Sequence, residues 1–239
     1  MRQQEEMILI PAGDFQMGGF DSGCAAAELP LHVVSIDAFL MDATPVTNRE
    51  FASFVSQTGY KTLSELSGSV DTWRTYATED REAHPVVLVS WDDANEFARF
   101  AGKRLSTEAE WEKAARGGRA DSLYPWGNEE PADNVCWQGA KAGVVIPATS
   151  EVASFQANGY GLYDMAGNVW EWCGDWYDDH YYGSSPFNNP QGPDSAENKV
   201  RRGGAWNVRE SFRLRCSNRG AMVPSQAWKN LGFRCAKSV

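Results

Sequence analysis

The chain has 239 residues, 42% of them hydrophobic and 23% charged, a balance that supports one buried core and excludes a disordered tail. A formal net charge of −10 argues against nucleic acid, whose phosphates need cations, and against anionic membrane surfaces. No apolar run nears the ~20 residues that span a bilayer, and Met1-Arg2-Gln3-Gln4-Glu5-Glu6 is too acidic to open a secretory signal, so a cytoplasmic location is expected.

In chain order, Met7–Ile10 ends at Pro11-Ala12-Gly13 and is predicted as a first strand, with Val33–Phe39 next. Thr47-Asn48-Arg49-Glu50 fits a capping box, Phe51, Phe54 and Val55 follow at helical spacing, and Gly59 offers a left-handed stop. Val86–Val89 is a strand candidate. Ser90-Trp91-Asp92-Asp93 opens a second helix, with Trp91, Ala94, Phe97, Ala98 and Ala101 as its buried stripe and Gly102 as its end. Its cap is expected to be weaker, because aspartate stands where glutamate would. Thr107-Glu108-Ala109-Glu110 opens a third helix through Trp111, Ala114 and Ala115 to Gly117-Gly118.

Beyond Gly118 helical periodicity vanishes. Turn clusters such as Pro125-Trp126-Gly127-Asn128, Asn158-Gly159-Tyr160-Gly161 and Asn189-Pro190-Gln191-Gly192-Pro193 alternate with short apolar pieces, of which Val200–Trp206 and Leu231–Ala236 are strand candidates. The pattern predicts a single α+β domain over 1–239 whose second half is largely connected loops. Loops of that length need an organiser, either aromatic anchors or a bound cation. Ten tryptophans and 22 glycines fit packing around large rigid rings with close backbone passes.

Cys24, Cys136, Cys173, Cys216 and Cys235 form no C-x-x-C pair, and no histidine stands near them at zinc-finger spacing. Buried free thiols are the expected state in a reducing compartment. His32, His84 and His180 are scattered and are expected to be structural or surface groups. Asp175, Asp178, Asp179 and His180, among Trp176, Tyr177, Tyr181 and Tyr182, form an acidic aromatic patch, readable as a solvated loop or as a cleft for a cationic ligand.

An ordered set of strings spans nearly the whole chain. It runs from Ile10-Pro11-Ala12-Gly13 and Pro45-Val46-Thr47-Asn48 through Arg104-Leu105-Ser106-Thr107-Glu108 and Gly159-Tyr160-Gly161-Leu162-Tyr163-Asp164-Met165-Ala166-Gly167-Asn168-Val169-Trp170-Glu171-Trp172. It closes with Arg202-Gly203-Gly204-Ala205-Trp206 and Leu231-Gly232-Phe233-Arg234. In this order the strings resemble the formylglycine-generating-enzyme, or sulfatase-modifying-factor, family. The resemblance implies a variant of the C-type-lectin fold with little regular secondary structure and a few helices on short antiparallel strands.

Members of that family oxidise a cysteine of a sulfatase to formylglycine with molecular oxygen, holding copper(I) between two thiolates, ligands that suit a soft ion. The resemblance puts those thiolates where this chain has Val208 and Phe212, so copper and the oxidation are not expected here. A substitute soft site from Cys173 and Cys216 is the alternative to two core thiols. The family's calcium loop maps to Asp164, Gly167, Val169 and Glu171, a mix of carboxylates and carbonyls that calcium favours. An ion-free turn capped by the two acids is the other reading. A second family loop would begin at Asn134-Val135, but the segment Ala142–Ile146 carries no carboxylate to complete it.

The resemblance implies that the segment Trp206–Arg234 forms the ligand-facing surface. Trp206, Asn207, Arg209, Glu210, Ser211, Arg219, Met222, Ser225, Gln226 and Trp228 are expected on display, a set suited to a protein or peptide ligand. Retroelement-diversified lectin-fold proteins resemble this arrangement. Three functions follow from these readings: a calcium-braced binding module, an oxygen-dependent oxidase acting through a different site, and a structural partner domain.

Overall fold

A computed structural model describes residues 7–132, 135–138 and 148–239 of the chain. The first six residues, Asn134 and the Ala142–Ile146 segment of the second calcium-loop expectation lie outside the described residues.

All three predicted helix starts close as reciprocal capping boxes. Helix α1 (Asn48–Thr58) takes Thr47 as its cap with Glu50 reaching back, and ends at left-handed Gly59. Short helices α2 (Leu63–Leu66) and α3 (Trp73–Tyr76) follow. Helix α4 (Trp91–Phe100) is capped by Ser90 and Asp93, the aspartate accepting from both the Ser90 amide and its hydroxyl at 2.8 Å. The shorter acid closes the box as fully as glutamate does, and Asp93 reaches beyond it to the Tyr60 hydroxyl at 2.9 Å. Helix α5 (Glu108–Arg116) starts at Thr107 and stops at left-handed Gly117.

Among the described residues the strands form three small sheets. One has the order β1 (Met7–Ile10), β4 (Phe39–Asp42), β10 (Cys235–Ser238), β5 (Arg104–Leu105), so the two ends of the described chain meet on β4. A hairpin pairs β2 (Gly13–Met17) with β3 (His32–Ile36). The third sheet has the order β8 (Arg219–Met222), β7 (Lys199–Arg202), β6 (Trp170–Trp176), β9 (Leu231–Gly232), antiparallel except for the β6–β9 pair.

Several strand expectations shift. Val33–Phe39 divides between β3 and β4, and Leu231–Ala236 between β9 and β10. Val200–Trp206 ends as a strand at Arg202, because left-handed Gly203 and Gly204 turn the chain away from the ladder. Val86–Val89 is not a strand, although its backbone is still bonded: Val86 N–H donates to Val46 and Leu88 N–H to Trp228. Strand β6 itself is not among the predicted strands.

Among the described residues two packed clusters make the core. In one, Phe51 stands edge-on to Trp73 at 5.1 Å and near-parallel to Phe97 at 5.9 Å, and Phe233 meets Phe97 at 5.4 Å. The other surrounds α5, where Ala109, Trp111, Ala114 and Ala115 pack against Ile10, Val34, Phe39 and Met41. Helix α5 is buried on every side, its charged residues included. A buried charge must be paired to be tolerated, and those pairs position the third sheet. Arg202 of β7 reaches Glu112, Glu108 and the Ser217 and Cys216 carbonyls. Arg219 of β8 forms a two-pronged pair with Glu108 at 2.7 and 2.8 Å. Among the described residues no helix is long and apolar enough to cross a membrane.

Candidate functional site

Strand β6 alternates Trp170, Trp172 and Trp176 on one face with Glu171, Cys173 and Asp175 on the other, as the two-residue period of a strand requires. The acidic face packs against α5. Glu171 accepts from Trp111 Nε1 at 2.8 Å and from the Arg234 guanidinium at 2.7 and 2.8 Å. Asp175 accepts from the Glu108 amide at 2.8 Å, and burial, with the nearby Glu108 charge, pushes its carboxyl up to about 8.

The predicted calcium loop leads into β6. Asp164 and Asn168 both have positive φ, 55° and 58°, and Gly167 adds a third at 76°, so the segment is tightly wound. At Gly167 a Cβ would approach the Cys136 carbonyl to 2.5 Å. Asp164 accepts from the Ala153 amide at 2.8 Å and burial pushes its carboxyl up. Among the described residues it forms no ion pair. Among those residues, too, no three His, Cys, Asp or Glu side chains gather as a metal-ligating group, so an ion here depends on backbone oxygens. The donor set fits calcium on those terms: Asp164, with the Gly167 and Val169 carbonyls, has the right chemistry. Glu171 would have to share its oxygens with Arg234.

At the expected copper positions, Val208 is buried in the core cluster that also holds Trp170, Leu214 and Met222, and Phe212 is exposed in a single helical turn at Ser211–Leu214. Neither side chain can ligate a metal. Cys173 and Cys216 are both buried in the α5 cluster and both are free thiols. Burial drives Cys173 well above the usual thiol range and Cys216 up to about 12, so both are held protonated, whereas a soft-metal site needs thiolates. Cys136 and Cys235 are likewise buried and outside any disulfide, and Cys24 is half-buried.

The C-terminal segment divides into outward and inward groups. Asn207, Arg209, Glu210, Ser225, Gln226 and Trp228 are exposed, while Trp206 and Ser211 are half-buried. Trp206 Nε1 donates to the Lys229 carbonyl at 3.3 Å, and Asn207 accepts from Asn230 at 2.9 Å. Arg219 and Met222, expected on display, face inward instead. Arg219 is held by Glu108 beneath the Tyr177 and Tyr182 rings, at 4.9 and 4.0 Å, and Met222 is 5% exposed in the core. Three residues apart, they lie at the two ends of β8 on opposite faces, both buried, in a strand that the sequence pattern does not announce. The acidic aromatic patch also splits, with Asp178, Asp179 and His180 in solvent and Asp175 and Tyr182 buried.

Next to the exposed group is Arg201 of β7, which the sequence reading missed. Its guanidinium lies 4.6 Å from the Trp170 ring and 5.7 Å from the Trp228 ring. The Arg-Arg pair before Gly203-Gly204 was visible in the sequence, and strand alternation sends its two members to opposite faces: Arg202 to the buried acids, Arg201 to the tryptophans.

The Sulfatase-modifying factor enzyme 1-like domain matches residues 1–239. A formylglycine-generating enzyme from Streptomyces coelicolor is 40% identical, in an alignment covering 100% of this chain and 91% of that protein. Among solved structures, PvdO from Pseudomonas aeruginosa overlays with a TM-score of 0.83 at 29% identity, covering 100% of this chain and 96% of that one. Treponema denticola variable protein 1 overlays with a TM-score of 0.76 at 27% identity, covering 98% and 95%.

Proposed function

The chain belongs to the sulfatase-modifying factor enzyme family, and from that premise we propose that it is a calcium-braced module that binds a protein or peptide ligand through its C-terminal segment. One observation carries the reading. The positions that would hold the family's copper thiolates are Val208 and Phe212, and the substitute pair the sequence offers, Cys173 and Cys216, is buried with its thiols pushed upward. What remains of the family site is a rigid frame with an exposed rim of Asn207, Arg209, Glu210, Gln226 and Trp228. Mixed arginine, amide and tryptophan side chains on such a frame suit recognition. The overlay with Treponema denticola variable protein 1 supports a frame that carries a variable surface. In the proposed brace, Asp164 supplies the carboxylate, Gly167 and Val169 supply carbonyls, and Glu171 shares its charge between the ion and Arg234.

A second reading is favoured by the 40% identity to a formylglycine-generating enzyme: an oxygen-dependent oxidase of a peptide or sulfatase residue through other groups. Titration of the reduced, metal-stripped chain with copper(I) against a competing chelator separates the two. The binding-module reading expects no tight one-to-one copper complex and no oxygen uptake with sulfatase-motif peptides. Tight copper binding or oxygen uptake would replace it with the oxidase.

A further inference from the structure

Side chains two apart on a strand share a face, so β7 sends Lys199 and Arg201 toward the tryptophan face of β6, opposite Trp176 and Trp172 in register. Lys199 is fully accommodated there. Its ammonium lies 4.1 Å from the Trp91 ring and 3.9 Å from the Trp176 ring, and it donates to the Gly174 carbonyl at 2.7 Å.

Arg201 is placed with equal care, but among the described residues its guanidinium has no hydrogen-bonding or ionic partner. Trp170 and Trp228 flank its guanidinium within cation–π range. On β8 its register partner is Gly220, where a Cβ would come within 3.0 Å of both Arg201 Cγ and Nε. Gly220 does not need a left-handed backbone, so what its lack of a side chain provides is room for the arginine. Among the described residues no oxygen accepts from this guanidinium. Its Nε is enclosed and unbonded, and the outer nitrogens are not enclosed. The contrast with the other interior arginines is sharp: Arg116, Arg202, Arg219 and Arg234 each meet a carboxylate. Burial and the neighbouring Arg213 charge lower the basicity of Arg201 to about 10, the mark of a cation lacking its counter-ion.

We propose that Arg201, slotted between Trp170 and Trp228, is the anchor for a carboxylate group of the ligand. The guanidinium is a planar fork that takes a carboxylate by two parallel hydrogen bonds, and a planar partner suits a slot between two rings. The charge count also favours a single negative charge over a phosphate dianion. Of the two neighbouring arginines, Arg213 is already offset by Glu210 at 3.2 Å, so only Arg201 lacks a counter-ion among the described residues. The carboxylate belongs either to an acidic peptide or to a small free organic acid. The peptide case rests on the recognition-module reading, and the free acid does not.

The arginine Nε–H signals of the 15N-labelled full chain test this directly, with the Arg201 signal identified as the one absent in Arg201→Gln. The probes are acetyl-Gly-Gly-Glu-Gly-Gly-amide, its Gln counterpart and sodium acetate, each at matched ionic strength. A saturable shift of the Arg201 signal with the Glu peptide, absent with the Gln peptide, is expected. Affinity followed at the tryptophan indoles should fall at least tenfold in Arg201→Gln. Gly220→Ala, which crowds the arginine without removing it, should weaken binding in the same direction and guards against a misfolded Gln variant. If acetate alone saturates the signal and the peptide adds nothing, the carboxylate anchor holds and the peptide-module reading fails. If Glu and Gln peptides bind alike with the Arg201 signal unmoved, the module holds and the anchor is overturned. An Arg201 signal indifferent to every carboxylate overturns it as well.

Discussion

Glu171 and Arg234 lie face to face inside the protein, with the guanidinium Nη2 2.7 Å from one carboxylate oxygen and Nε 2.8 Å from the other, both side chains 1% exposed. The pair ties β6, whose fellow residues carry the tryptophan face, to the turn between β9 and β10. Removing one member of a buried pair leaves an uncompensated charge and costs roughly 3–5 kcal/mol. Arg234→Met should therefore lower unfolding free energy by about that amount in urea melts, and Glu171→Leu combined with it should recover part of the loss. Recovery stays partial because Arg234 also serves the Asp42, Ala43 and Tyr163 carbonyls. A loss below ~1 kcal/mol in the single variant would mean the pair is replaceable by water.

The same pair sharpens the calcium proposal. Because Arg234 already compensates Glu171, the proposed ion would be held chiefly through Asp164, the loop acid with no ion-pair partner among the described residues. Calcium at one hundred times its dissociation constant should add about 2.7 kcal/mol of stability, and each kcal/mol is worth roughly 2–4 °C in a chain of this size. Thermal melts with calcium and with chelator should differ by several degrees for the natural chain and coincide for Asp164→Asn. Equal melts for the natural chain would leave the loop as an ion-free turn.

Asp175 predicts a pH dependence of definite sign. Its folded carboxyl is pushed up to about 8, while an unfolded aspartate titrates near 3.9. Between those values the folded state keeps a proton that the unfolded state has lost, so this group's contribution to stability falls as pH rises from about 4 to about 8. The slope from this group is at most ~1.4 kcal/mol per pH unit. Asp175→Asn keeps an oxygen for the Glu108 amide and should flatten that part of the stability profile. Urea midpoints measured at pH 5, 6, 7 and 8 would show it, and parallel profiles for the two proteins would contradict the assignment.

How much of this was legible in the sequence depends on whether a signal was local. The capping boxes at Thr47, Ser90 and Thr107 are complete within four residues, and all three formed. Strand β6 was missed because its alternate positions, Glu171, Cys173 and Asp175, look solvent-bound until Arg234 and α5 supply buried partners from 60 or more residues away. Arg219 and Met222 were placed outside for the same reason, since Glu108 lies 111 residues from Arg219. Arg201 could not be told from Arg202 until the register of β7 was known. The expectation that Val208 and Phe212 stand at the family's thiolate positions is drawn from the neighbouring Gly203-Gly204 and Cys216 alone, and the structure adds only that Val208 is buried and Phe212 exposed.

Thiol chemistry checks the buried cysteines independently of any metal. Cys136, Cys173, Cys216 and Cys235 are enclosed, and Cys24 alone is half-buried, its S–H donating to Asp21 at 2.9 Å. Burial and that hydrogen bond push the Cys24 thiol up, so even this group should react slowly at pH 7, because the thiolate is the reactive form. A chromogenic disulfide reagent should therefore titrate one thiol slowly in the native chain and five rapidly in guanidinium. Rapid native labelling of Cys173 or Cys216, read by peptide mass mapping, would show that these sulfurs reach solvent as thiolates. That result would reopen the soft-metal alternative on which the oxidase reading depends, whereas full protection confines both residues to packing around α5.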